Sequence, residues 1–307
     1  LNDQLTLIPQ IAYRYNYDDY RYIRQDISIG RSQHYSNGLN AEVNANYTLE
    51  QGEIAAGAEV RYEQINSNNL GEHKRNNYGF YAEYKNYSMR SLLFTLGAYV
   101  NYNTVFGWQA FPGIDVNWAL STNSKITFSA GSGQRIPSFN DLYLNQTGNI
   151  GNINVESEKA YQLEAGYQYD GNNWQLKTHV FHRNINDFID WTRWSETEPF
   201  QSNNVGKLQT IGGNLVFRYT VKNWRFNLSY TYLDADMNLD EAILSKYRVR
   251  SFRHQLINTI HFTHQNWSAT LANRFNERVG YKDYLLTDFR LSYQHNKWMV
   301  YTDLQNI

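Results

Sequence analysis

Trp224-Arg-Phe-Asn-Leu-Ser-Tyr-Thr-Tyr232 alternates apolar and polar residues without a break. Trp224, Phe226, Leu228, Tyr230 and Tyr232 fall on one side, and Arg225, Asn227, Ser229 and Thr231 on the other. Successive residues of a strand point to opposite faces, so this segment reads as a strand with one apolar and one wet side. A short polar turn, Val221-Lys-Asn-Trp224, leads into it. The same arrangement recurs at Asp170-Gly-Asn-Asn-Trp174, His264-Gln-Asn-Trp267 and His295-Asn-Lys-Trp298. An amphipathic aromatic at the same strand end, hairpin after hairpin, is what a membrane interface selects. Trp174, Trp224, Trp267 and Trp298 are therefore read as the girdle along one rim of a transmembrane antiparallel β-barrel wall.

The alternation extends outward from there. Val43, Ala45, Tyr47 and Leu49 oppose Asn44, Asn46 and Thr48, and Leu92, Phe94, Leu96, Ala98 and Val100 line one face. Leu285, Thr287, Phe289, Leu291 and Tyr293 repeat the pattern. Short turns are expected near Asn16–Asp19, Glu50–Glu53, Asn86–Arg90 and Ser121–Ser124, besides those before the four tryptophans. Longer connections are expected at Gln33–Asn37, Asn66–Asn76, Asn103–Gly107, Pro137–Glu156, Asp190–Asn204, Asp236–Arg250 and Arg278–Tyr284. Outer-membrane barrels keep short turns on the periplasmic side and long loops outside, which makes the tryptophan rim periplasmic. The intervening segments, about 10–14 residues each, suit tilted strands that cross a bilayer. Counting gives about sixteen strands, the first (near Gln4–Tyr13) running down and the last (near Trp298–Asn306) running up. A complete bacterial barrel has an even number of strands with both ends periplasmic. Residues 1–307 are thus expected to form a single partial barrel domain, with at least one strand before Gln4 and one after Ile307.

Composition narrows the alternatives. The 307 residues carry 28 basic and 29 acidic side chains, which offers nothing to nucleic acid. The mean hydropathy, −0.67, resembles that of a soluble protein, but a barrel strand averages a lipid face with a wet one. No apolar run is long enough for a helical span. With no cysteine, disulfides, thiolate zinc sites and thiol catalysis are excluded. A soluble propeller or stack of sandwiches also gives alternating strands. Long strands, aromatics at strand ends and alternately short and long connections argue against it. Leu1 reads as a position inside mature sequence, with any targeting segment outside it.

Three segments carry a resemblance. Gly133-Gln-Arg-Ile-Pro-Ser-Phe-Asn-Asp-Leu-Tyr143 is similar to a "Y-R-A-P-S-x-x-D-L-Y" segment that leads into a large extracellular loop. Gly148-Asn-Ile-Gly-Asn-Ile-Asn-Val-Glu-Ser-Glu-Lys159 resembles the "G-N-P-x-L-x-P-E-K" that follows, with Val155 and Ser157 where Leu and Pro are common. Tyr301-Thr-Asp-Leu-Gln-Asn-Ile307 looks like the start of a penultimate strand. Together they resemble the TonB-dependent outer-membrane receptors. That resemblance implies a barrel of about 22 strands with an N-terminal plug. This chain would supply the sixth to the twenty-first, without plug or final strand. It implies active uptake of a large scarce nutrient across the bacterial outer membrane, with TonB acting through the plug. Outer-membrane lipid, lipopolysaccharide and a capping surface lipoprotein would be further partners. A narrower likeness is to vitamin B12 receptors, especially those of Bacteroidetes. It rests on Phe181-His-Arg-Asn-Ile-Asn-Asp-Phe-Ile-Asp-Trp191, Ser229-Tyr-Thr-Tyr-Leu-Asp234, Ser245-Lys-Tyr247, Arg253-His254 and Arg278 to Tyr281. It implies cobalamin first, with ferric siderophore or haem next, because Phe-Ile-Asp is shared with those receptors. A passive porin and a barrel enzyme are the readings from other classes.

Candidate site residues lie in the long connections. Asp141, Tyr143 and Asn145 would grip a large polar ligand from above, although Asn and Asp also populate loops for backbone reasons. Strand parity puts Phe188 with Asp190 and Ile189 with Trp191, so an inward Asp190 sends Trp191 to the outer girdle. Trp194, beyond the strand, is then the better stacking surface for a ligand. Tyr247, Arg250, Arg278 and Tyr281 suit phosphate or amide oxygens, or lipopolysaccharide headgroups. Asp234-Ala-Asp-Met-Asn-Leu-Asp-Glu241 opens like a calcium loop, but Leu239 and Ser245 stand where an EF-hand needs Gly and Glu. A looser calcium site in that loop is the one metal reading, and no other cofactor is expected. No Ser-His-Asp set, paired carboxylates or phosphate-binding glycine loop stands out, so no enzyme is expected.

Overall fold

The computed structural model describes residues 4–27, 29–237, 239, 243–246 and 252–307. The first strands are β1 (Leu5–Arg21), β2 (Arg31–Leu49), β3 (Gly52–Ser67), β4 (Gly71–Asn86), β5 (Leu92–Asn103), β6 (Gly107–Ala119) and β7 (Ser124–Arg135). A short helix α1 (Phe139–Tyr143) and the strand fragments β8 (Asn145–Gln146) and β9 (Asn149–Ile150) precede β10 (Glu158–Asp170) and β11 (Trp174–Asn186). Then come β12 (Ile189–Arg193), β13 (Phe200–Asn204), β14 (Lys207–Val221), β15 (Trp224–Met237) and β16 (Leu244–Ser245). The last are β17 (Phe252–His264), β18 (Trp267–Arg278), β19 (Tyr284–His295) and β20 (Trp298–Leu304). Fifteen of them form one sheet of sequential neighbours, from β1 to β20, with β8, β9, β12, β13 and β16 left out. All its pairings are antiparallel. Among the described residues β1 pairs only with β2, and β20 only with β19, so the wall has two edges.

Local chemistry sets the turns and register sets the faces. The two-residue turns before Trp224, Trp267 and Trp298 hold Lys222, Gln265 and Asn296 at φ of 49°, 50° and 49°, which matches the twist of the flanking strands. The register then aligns Phe217, Leu228 and Asn258 on the tryptophan face, and Arg218, Asn227 and Thr259 on the other. Charges sort the same way. Glu42, Glu59, Arg61, Glu83, Asp115, Lys125, Glu164, Lys177, Arg218 and Arg225 all stand opposite the tryptophan face. Among the described residues, charges on the tryptophan face, such as Asp19, Lys74, Asp234 and Glu277, occur only toward the strand ends remote from the tryptophan turns. A wall whose outer face is uncharged through its body, and charged only above it, is a membrane wall. Among the described residues no helix is long and apolar enough to cross a membrane.

The first hairpin departs from the sequence reading. Asn16–Asp19 is not a turn and Gln33–Asn37 is not a connection. β1 and β2 run through both, with Asn16 opposite Ser36 and Asp19 opposite Gln33, and the reversal lies beyond Arg21. The polar cluster is a cross-strand ion set: Asp19 accepts from Arg21 at 2.6 Å and from Arg31 at 2.8 Å. Tyr17 stacks on Tyr35 beside it at 4.7 Å. The first strand therefore runs up rather than down, and among the described residues the wall counts fifteen strands, against the expected sixteen or so.

The remaining fragments build a second, five-stranded sheet in the order β16-β12-β13-β9-β8. It draws on three connections at the end remote from the tryptophans, and its β13–β9 pairing is parallel. Trp191 belongs to it, so the girdle assignment does not hold. β11 ends at Asn186 and Asp187 takes φ 55°, which breaks the parity on which that assignment rested. Trp191 is 5% exposed and faces neither lipid nor solvent.

Candidate ligand site at the outer rim

The connection between β7 and β10 is built as a rigid cap. Ser138 and Asp141 form a capping box around α1, the Ser138 hydroxyl accepting from the Asp141 N–H and the Asp141 carboxylate from the Ser138 N–H. Arg135, at the end of β7 and clear of the membrane-spanning part, donates to Asp141 at 3.1 Å and to Glu158 at 2.8 Å. Burial alone would pull the Arg135 guanidinium down, but Glu158 and then Asp141 hold it above its ordinary value, so it stays charged. Leu142, Val155 and Ile189 make a small buried core, with Phe106 and Tyr143 packed against it. The cap leans across onto β2 and β4. Arg75 donates to the Pro137 carbonyl at 2.7 Å and to Glu63 at 2.6 Å, and lies 4.6 Å from the Phe139 ring centre. His73 stacks on Tyr143 at 3.4 Å, and Gln146 reaches the Ser32 hydroxyl at 2.7 Å.

The second sheet binds two further connections to that cap. Asp190 is fully buried, accepts from the Trp191 N–H at 2.6 Å and also takes the Ser245 hydroxyl. Lys246 donates to Asn149 at 2.7 Å and lies 5.5 Å from Trp191 and 5.8 Å from Phe200, while Arg193 sits 4.4 Å over Phe200. Three connections thus become one body. Nothing local in the sequence marks Lys246 for this, because its partners Asn149, Trp191 and Phe200 come from two other connections.

The sequence-predicted residues fall in different places. Asp141 is 6% exposed and engaged in the helix cap, Tyr143 is half-buried under His73, and Asn145 is exposed on β8 with its N–H on Asn69 O at 3.0 Å. Trp194 is 65% exposed at the turn between β12 and β13. Arg278 lies 4.6 Å over the Tyr281 ring, forming a pair on the β18–β19 connection, apart from the cap. Tyr247 and Arg250 lie outside the described residues, as do Arg248 and part of the 234–241 acidic run. Asp234 is paired with Arg253 at 3.2 Å. Among the described residues no group of three or more His, Asp or Glu is placed to hold a metal ion.

Beneath the cap the wall is hollowed. One cavity of 390 Å³ is lined by Arg14, Asn40, Arg61, Glu63, Arg75 and Phe139, and another of 620 Å³ by Glu59, Tyr99, Asn101, Gln109 and Arg135 among others. These sizes and mixed linings fit parts of a large polar ligand. The cap also has one position that admits no side chain. A Cβ on Gly151 would lie 2.7 Å from backbone atoms of Leu142, Tyr143 and Leu144. Gly151→Ala is expected to displace α1, and limited proteolysis of refolded protein should show new cuts within residues 139–157 while the wall stays intact. An unchanged digest would mean the cap tolerates that displacement.

The family model described as "TonB dependent receptor-like, beta-barrel" matches residues 1–307. The chain belongs to the TonB-dependent receptor family. Over 150 residues the receptor is 26% identical to the vitamin B12 transporter BtuB of Photobacterium profundum, covering 48% of this chain and 24% of that protein. Its fold matches a mutant of the ferric enterobactin receptor PfeA from Pseudomonas aeruginosa with TM-score 0.78 and 13% identity, over 100% of this chain and 54% of that one. The copper transporter OprC gives TM-score 0.78 and 16% identity, over 100% and 57%. The chain thus spans a little over half the length of these solved receptors and about a quarter of that B12 transporter.

Proposed function

We propose that this receptor takes part in the active uptake of a large, scarce nutrient across the bacterial outer membrane, with cobalamin as its ligand. The observation that carries the ligand is the 26% identity to a vitamin B12 transporter. The solved receptors, at 13% and 16% identity, support the fold alone. In this reading the cap, the exposed Trp194 and Tyr281, and the half-buried Arg278 meet the ligand outside. TonB, pulling on a plug in the lumen, drives its release inward. The energy is required because a filled lumen prevents free diffusion. Tryptophans at the periplasmic rim and charged strand ends at the outer rim contact lipid and lipopolysaccharide.

Titrating the full-length receptor with cyanocobalamin, ferric siderophores and haem tests the ligand. Cyanocobalamin is expected to bind, and Tyr281→Ala to weaken it about tenfold, roughly 1.4 kcal/mol. Binding of a siderophore without cobalamin would transfer the assignment to the siderophore. Equal affinity in Tyr281→Ala would remove that residue from the site.

A further inference from the structure

β6 and β7 separate in the middle of the wall. They pair from Ala119–Lys125 only as far as Gly113–Gly131, although β6 begins at Gly107 and β7 runs on to Arg135. Their other flanks stay zipped, β6 to β5 as far as Gly107 and β7 to β10 as far as Arg135. One bond crosses above the last pair, the Ser132 hydroxyl donating to the Pro112 carbonyl at 3.4 Å. Beyond it no pairing joins the two strands among the described residues. Proline cannot donate to a ladder and sits where a strand has a free edge, and Pro112 stands where β6 acquires one. Higher up the gap closes again, because Phe106, between β5 and β6, packs on the Leu142–Val155–Ile189 core of the cap. The wall therefore holds a framed slot.

That slot lies at membrane depth. Trp118 and Trp108, both exposed on the tryptophan face, mark the two ends of β6. With about 3.3 Å per residue and a tilt of about 40°, Pro112 stands roughly 15 Å above Trp118, and Trp108 roughly 25 Å, the height of the apolar band. The slot thus faces the outer half of the hydrocarbon. Free strand edges are tolerated there only where they are covered or line a hydrated cavity. Two cavities meet at this one. That on the tryptophan face, 850 Å³, is walled by Leu96, Pro112, Ile114, Ala130 and Leu163. That on the lumen face is the 620 Å³ hollow under the cap, with Glu59, Arg61, Gln109 and Arg135. Ser132 lines both.

We infer that the β6–β7 slot takes a single-chain amphipath from the outer leaflet, its hydrocarbon tail in the apolar cavity and its polar head in the charged one. The two sides fix the class of molecule. A wholly polar ligand does not enter from hydrocarbon, and a wholly apolar one gains nothing from Glu59, Arg61 and Arg135. The inference uses the membrane placement of the wall and not the choice of cobalamin.

The test uses the full-length receptor in liposomes with two lysophosphatidylcholine probes, one carrying a diazirine at the tail end and the other on the head group. Mass spectrometry maps the residues labelled on illumination. The tail probe is expected to mark residues 110–114 and 130–132 about tenfold above Leu215 and Leu228, which report ordinary contact with lipid. The head probe is expected on Gln109 and Gly133 of the lumen face. Pro112→Thr supplies the missing backbone donor and Ala130→Phe fills the apolar cavity. Each should bring the tail labelling down to the level of Leu215 and Leu228, with heat-shifted gel migration verifying a folded barrel. Three results overturn the inference: a slot labelled no more than Leu215 and Leu228, undiminished labelling in either folded variant, or a head probe confined to the outer rim. A failed cobalamin titration leaves the labelling unaffected, so the two ideas fail separately.

Discussion

Leu228→Arg is expected to destabilise the folded receptor by about 2–4 kcal/mol, the cost of a cation on the lipid face near the bilayer midplane. Ser229→Arg, one residue on, should cost far less. Leu228 lies in the body of β15 between Phe217 and Asn258, on the face that carries Trp224 and Phe226. Ser229 lies opposite Val216 and Ile257 on the face that already holds Arg218 and Arg225. Both substitutions add the same side chain to the same strand, so propensity and length cancel. Only the solvent differs: hydrocarbon on one side, a wet lumen on the other. Urea titration of protein folded into liposomes measures the difference. Equal losses would mean that the tryptophan face does not meet lipid, and the membrane reading would fall with it.

The sheet was legible in the sequence wherever two signals coincided, a polar two-residue turn and an apolar stripe of period two. From Glu50 onward every expected short turn lies at or beside a strand end. The first hairpin was not legible, because Tyr15-Asn-Tyr-Asp-Asp-Tyr20 carries turn-forming residues on a strand that has already risen clear of lipid. There the polar side chains serve cross-strand pairing to Arg31, which no local window contains. The same limit applies to Trp191. Its parity holds only for a strand that continues, and the reversal at Asp187 hands it to a sheet whose other members come from residues 145–150, 200–204 and 244–245. The motif from Gly133 to Tyr143 was visible, and a backbone role is the favoured reading of its polar residues; Ser138-Phe-Asn-Asp141 even carries capping-box spacing, but the ion pair that ties Asp141 to Arg135 and Glu158 is seen only in the fold.

Arg135→Ala is expected to loosen the cap by about 1–3 kcal/mol and weaken ligand binding without unfolding the wall. The guanidinium joins three elements: Asp141 of α1 at 3.1 Å, Glu158 at the head of β10 at 2.8 Å, and the Ile189 carbonyl of β12 at 3.4 Å. Glu158 also accepts the Ile189 N–H at 2.8 Å, so the ion pair holds the second sheet to the first. Removal leaves two carboxylates, whose side chains are 9% and 8% exposed, facing each other without a countercharge. Breaking a fully buried pair costs about 3–5 kcal/mol, and the Arg135 side chain is 45% exposed, so water screens part of that. Lysine restores the charge but not the fork that reaches three acceptors, so Arg135→Lys should recover only part of the loss. Urea unfolding of the wall, proteolysis of residues 139–157 and ligand titration read the three consequences separately. If Arg135→Ala leaves both digestion and affinity unchanged, the cap is held by its apolar core alone, and the ion cluster contributes nothing to the mouth of the receptor.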